Sequence, residues 1–217
     1  DDAPTFQGLI RSKTMKAGGV GYAVPDSGDF PRLDEVNRFT LAAGAIPTLA
    51  WLDGTTPGEQ AIDDLLDVMT AAGVAAVNII PDRNWNIADS ETQQRKVRKL
   101  HEFVEIARAR HLPILVGTEM NAYGQRFVDD FDALPMQPLY DAFLDGAYIL
   151  HAHTVLAASL NLGYLSDWAQ KHFADAAEKN RFYCEVGARV QGATPTIMPS
   201  LGPDPSPDAL LAKLPVV

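Results

Sequence analysis

The residues whose types and spacing could do chemistry are a histidine pair, His151-Ala152-His153, and a set of acids that close short apolar runs. In a β-strand, residues i and i+2 face the same side. If 147–153 is a strand, both imidazoles reach one divalent metal. Imidazole together with carboxylate suits zinc, manganese or iron, and Glu119 and Glu185 close the neighbouring apolar runs as further ligands. The competing reading of His151 and His153 is a core pair hydrogen-bonded to backbone. Asp82-Arg83-Asn84-Trp85 places an acid, a planar cation, an amide and an aromatic wall in succession. Arg83 suits a phosphate or carboxylate oxyanion, and the competing reading is a turn capped by Asp82 with Trp85 packed over it. The expected catalytic set is Asp53, Asp82, Arg83 and Glu119. The expected substrate contacts are Trp51, Asn84, Trp85, Asn121 and Tyr123, and the expected metal ligands are Glu119, His151, His153 and Glu185.

Short strands must position these groups. Apolar or β-branched runs bounded by glycine, proline and aspartate predict strands at 17–26, 45–53, 74–80, 113–117, 147–153 and 181–186. Between them, helices are expected near 6–15 and over 32–43, 58–72, 91–110, 139–144 and 154–179, with Thr56 and Ser90 as N-caps and Pro57 in the first turn. The joints AAG-AIPTLAW, AAG-VAAVNII and LDG-AYILHAH repeat one pattern of helix, glycine and strand. Alternation of this kind predicts a parallel sheet. No glycine-rich phosphate loop follows any strand, and polar residues close every unit. The expected architecture is therefore an α/β fold, a TIM-like (β/α) barrel over 1–190. It is incomplete at about six βα units, with catalytic groups at the C-terminal strand ends. A Pro/Gly-rich tail follows over 191–217.

The composition narrows the partners. Across 217 residues the net charge is −10 and no Lys/Arg run occurs, which argues against nucleic acid. No apolar run approaches the roughly 18 residues of a membrane span. Cys184, the single cysteine, excludes an internal disulfide and points to a reducing, cytoplasmic setting. The chain opens Asp1-Asp2 without methionine or a basic-then-apolar leader, which suits a fragment or a processed product. Six units leave open sheet edges, so a homo-oligomer is expected to cover them.

The run from GAIPTLAWLDG through AVNIIPDRNWNI and LPILVGTEMN to LHAHT resembles metal-dependent hydrolase barrels of the PHP (polymerase and histidinol phosphatase) type. It is more distantly similar to the amidohydrolases. The resemblance covers roughly 18–187 and is carried by the strand end around Glu119 and by His153. It implies a distorted βα barrel whose strand-end His, Asp and Glu hold a metal cluster that hydrolyses phosphoesters. The opening HxH strand and closing Asp-x-His of such families have no counterpart here, since no histidine precedes His101.

These readings converge on a metal-dependent hydrolase acting on a small molecule, a phosphoesterase by preference. Bound metal would generate hydroxide, Asp82 or Asp53 would carry the proton, and Arg83 would neutralise the oxyanion. Two alternatives stay open. One is a metal-free glycoside hydrolase using Glu119 and Glu185, which needs carboxyl groups about 5–5.5 Å apart for retaining chemistry. The other is a non-catalytic sugar- or metabolite-binding barrel with Trp51, Trp85 and Tyr123 as stacking surfaces.

Overall fold

The computed structural model describes residues 3–120, 126–190, 202 and 204–215. In chain order the elements are α1 (Ala3–Thr14), α2 (Leu33–Ala42), β1 (Thr48–Trp51), α3 (Pro57–Gln60), α4 (Ile62–Ala71), β2 (Ala76–Ile79), α5 (Asp82–Trp85) and α6 (Ser90–Ala109). Then come β3 (Ile114–Val116), a 3-10 turn at Gln137–Leu139, α7 (Tyr140–Leu160), α8 (Asp167–His172), α9 (Ala176–Arg189) and α10 (Pro207–Leu211).

The three strands form one open parallel sheet in the order β1-β2-β3, with Thr48 opposite Ala76 and Val77 opposite Ile114. Each is short and apolar, and the joints into β1 and β2 turn on Gly44 and Gly73. Their positive φ angles of 73° and 99° are strained for any residue with a Cβ. Thr56 and Glu59 form a reciprocal capping box with Pro57 in the first turn of α3. Asp89, rather than Ser90, caps α6, its carboxylate accepting from the Thr92 amide at 2.8 Å. Leu66, Val77, Ile79, Leu100, Phe103 and Ile114 make the core beneath the sheet.

The barrel expectation fails beyond β3. More than half of the chain is helical, and the three strands do not close. Residues 17–26 form turns and coil, with Val20 and Val24 almost fully exposed. The segment 147–153 lies inside α7, and 181–186 lies inside α9. An apolar run of this length fits a buried helix as well as a strand, and here local preference decides. The stretch 142–160 is rich in alanine and leucine, the strongest helix formers. Its buried residues Phe143, Gly146, Ile149, Ala152, His153 and Leu156 recur at helical spacing. In α9 the same holds for Phe182, Tyr183, Val186 and Gly187.

Two glycines let these helices dock. A Cβ on Gly146 would sit 1.9 Å from the Ile114 carbonyl oxygen, so α7 lies directly against β3. A Cβ on Gly187 would sit 2.0 Å from the Tyr148 carbonyl oxygen, so α9 lies directly against α7. Leu156, Tyr164, Trp168, Phe173, Phe182 and Tyr183 build the second core there. Within the expected tail, Leu210 on α10 and Leu214 beyond it join that core, and the Trp168 indole donates to the Pro205 carbonyl at 2.8 Å. Among the described residues no helix is long and apolar enough to cross a membrane.

Candidate functional site

The C-terminal ends of β1, β2 and β3 carry a continuous set of polar side chains, the position where open parallel sheets commonly receive ligands. After β1, the buried Asp53 accepts from the Lys96 ammonium at 2.8 Å and from the Thr55 amide and hydroxyl. After β2 the chain turns straight into α5. There Asn84, fully buried, donates to the Leu52 carbonyl at 3.0 Å and to the Ile80 carbonyl at 3.3 Å, which ties the ends of β1 and β2 together. Its Oδ1 has no donor among the described residues. An acceptor buried in this way costs about 1–3 kcal/mol.

Arg83 turns the other way, toward β3, and donates to Glu119 at 2.7 Å; both side chains are about one-third exposed. Arg126 approaches from the loop that follows β3. Its guanidinium lies 5.4 Å from the centre of the Trp85 ring, 3.6 Å from Asp82 and 3.7 Å from Asp130. Asp129 organises this side. Buried, it accepts from the Asp82 amide at 2.8 Å and from the Trp85 indole at 2.9 Å, fixing the loop on the first turn of α5. Asp82, Arg83, Thr118, Glu119 and Arg126 enclose a crevice of about 30 Å³ over Ile80. That volume is about the share of one water molecule in the liquid, so most of any ligand would lie outside along the rim.

The structure therefore brings Asp82, Arg83 and Glu119 together, with Asn84 and Trp85 beside them and Asp53 on the neighbouring strand end. Arg126, Asp129 and Lys96 complete the site and were not anticipated. The long loop after β3 was the signal for the first two, since loops of that length usually carry function. Asn121 and Tyr123 lie outside the described residues. Trp51 does not line a pocket: it is 2% exposed and stacks on Phe103 with ring centres 4.5 Å apart.

The expected ligand set of Glu119, His151, His153 and Glu185 is not brought together. Among the described residues no three His, Cys, Asp or Glu side chains gather as a metal would require. On a helix, residues i and i+2 point about 200° apart, so His151 faces out while His153 is buried. Both nitrogens of His153 are engaged: Nε2 lies 3.0 Å from the Gly44 carbonyl, and Nδ1 accepts from the Tyr164 amide at 3.0 Å. This is the core reading of the histidine pair, with Nε2 carrying the proton. Glu185 stands on α9, where it pairs with Arg189. It lines a cavity shared with Pro113 and Ile114 at the start of β3, whereas Glu119 follows the end of that strand. The two acids are thus not the adjacent pair that glycoside hydrolysis needs.

No family model, curated protein or solved structure matches the chain. With the βα barrel gone and His153 on a helix, the features that carried the PHP resemblance reduce to the Glu119 strand end.

Burial raises the Asp53 pKa, but the Lys96 ammonium and the Thr55 hydroxyl and amide outweigh it and hold the group below the ordinary carboxylate value. A carboxylate depressed in the folded state contributes stability above its unfolded pKa, near 4. That contribution is lost as pH falls through the lower folded value. Stability should therefore decline below about pH 4, and Asp53→Asn should make the decline shallower while lowering stability at neutral pH. Thermal melts of both chains across the acid range check this. An unchanged acid slope in the variant would remove Asp53 from the account.

Proposed function

We propose that the strand-end crevice binds a small hydroxylated oxyanion, of the sugar phosphate class, and that the protein works as a metabolite-binding α/β domain. The observation that carries this is the pair of guanidinium groups, Arg83 and Arg126, lining one small crevice. A guanidinium offers five donors in a fixed fork that matches phosphate. Among the described residues Arg83 spends one donor on Glu119, which leaves others for a ligand, and the ion pairs of Arg126 are long, at 3.6 and 3.7 Å. Asp82 and Glu119 supply acceptors for ligand hydroxyls, and Thr118 supplies a hydroxyl of its own. The face of Trp85 is already engaged by Arg126, so it supports the cation rather than a sugar ring.

Binding is favoured over turnover because the acids are committed. Asp53 is held by Lys96 and Thr55, Asp129 by two donors from α5 and its own neighbour, and Glu119 by Arg83. Among the described residues none of these three is unpartnered, and Asp82 accepts from the Asn86 side-chain amide at 3.0 Å and faces Arg126.

Calorimetric titration with glucose 6-phosphate and ribose 5-phosphate, against glucose and inorganic phosphate, tests this reading. The sugar phosphates should bind more tightly than either part alone. Removing one charge-assisted contact costs about 1.5–3 kcal/mol, so Arg83→Ala and Arg126→Ala should each weaken binding about tenfold or more. No binding by any of the four compounds, or equal binding by both variants, would overturn it.

A further inference from the structure

A second and larger cavity, of about 450 Å³, opens at the other end of β3, between the C-terminus of α6 and the facing sides of α7 and α9. Its size is that of small-molecule pockets generally. Pro113, Ile114, Ile149 and Ala188 give it an apolar lining. Arg108 and His111 from the end of α6, and Arg181 from α9, supply its cationic groups.

Two acids, Asp145 and Glu185, share the cavity with these cations, and the neutral Cys184 thiol leaves the charge of Asp145 in place. Asp145 accepts from the Cys184 thiol at 3.2 Å, and Glu185 is paired with Arg189. Arg108 holds Glu105 only at 3.3 Å, between two exposed side chains. Arg181, exposed, makes no ion pair within contact distance among the described residues; Asp175 feels its charge and that of His111 only through space. Asn180 donates to the His111 carbonyl at 2.8 Å and accepts from the Tyr164 hydroxyl. These two hydrogen bonds fix the start of α9 beside His111, which carries a positive φ of 54° at the end of α6. The cationic groups therefore sit on a braced framework, over an apolar floor.

From this arrangement we infer that the cavity is a binding site for a small organic carboxylate with an apolar body, its carboxylate on Arg181 with support from Arg108 and His111. The site is separate from the strand-end crevice and does not depend on the reading of that crevice. Cys184 is part of the wall and not a reactive group. Burial, with the Asp145 carboxylate beside it, pushes its thiol up to about 12, so little thiolate exists at neutral pH.

Calorimetry with 4-phenylbutyrate, and with its neutral amide as control, tests the inference on the full chain. The acid should bind measurably and the amide about tenfold or more weakly, as expected when a charge-assisted contact is lost. Arg181→Gln should remove that discrimination without changing the melting temperature, because the side chain is exposed. Ala188→Phe fills the apolar end and should abolish binding of both compounds. If that variant does not fold, Arg181→Gln decides alone. Absence of binding by the acid, equal binding of acid and amide, or an unchanged affinity in Arg181→Gln would each overturn the site. Arg83→Ala should leave the binding intact.

Discussion

Alanine at Gly187 or at Gly146 should destabilise this protein more than any other single methyl group. The added carbon would lie 2.0 Å from the Tyr148 carbonyl oxygen in one case and 1.9 Å from the Ile114 carbonyl oxygen in the other. Both obstacles are backbone, so no rotamer change relieves them. Overpacking usually costs about 1–3 kcal/mol, and here a helix must separate from its neighbour. We expect a loss of at least about 3 kcal/mol for each, even after the roughly 1 kcal/mol that alanine gains over glycine in a helix. That is a large part of the 5–15 kcal/mol that typically stabilises a domain. Gly8 is a built-in comparison: nothing lies within 4 Å of its Cβ position, so Gly8→Ala should be neutral or stabilising. Denaturant unfolding of the three variants measures the contrast. Wild-type stability in Gly187→Ala would mean that α7 and α9 do not pack as described.

His153→Ala should follow closely. The ring bridges the Gly44 carbonyl, just beyond α2, to the Tyr164 amide, just beyond α7. Removing it strands the buried Tyr164 amide at about 1–3 kcal/mol, breaks the part-buried bond to the exposed Gly44, and leaves a cavity besides. A loss of about 3–4 kcal/mol follows, and His151→Ala, on the exposed face, should cost almost nothing. The same pair of variants separates a structural histidine from a metal ligand. On the structural account a chelator leaves the melting temperature of the wild-type chain unchanged. A chelator that lowered it to the level of His153→Ala would restore the metal reading.

The residues that were legible in sequence share one property: their roles follow from local context. Runs such as TLAW and AVNI, each entered from a helix by a glycine turn, announce β1 and β2, and the acids that end them fall where a parallel sheet presents its ligand face. The apolar runs 147–153 and 181–186 carry the same local signal, yet they become helices. Their alternation is weak, their alanine content is high, and close approach at Gly146 and Gly187 rewards a helix against β3 and another against α7. Once 147–153 is helical, His151 and His153 part company and no longer serve as one ligand pair. In the crevice, Asp82, Arg83 and Glu119 could be read from their strand ends. Asp129 could not, because its partners Asp82 and Trp85 lie 47 and 44 residues away. Lys96 is hidden for the same reason, being one of many cations along an amphipathic helix until the fold sets it beside Asp53, 43 residues back.

The most direct test is a nitrogen–proton correlation spectrum recorded during titration with glucose 6-phosphate, following the Trp85 indole N–H and the side-chain N–H signals of Arg83 and Arg126. The Trp85 indole donates to Asp129 under the Arg126 guanidinium, so it reports occupancy of the crevice without contacting the ligand. All three signals should shift together along one saturable curve, and they should remain still with glucose. Shifts confined to other regions, or none at all, would contradict the crevice as the protein's binding site.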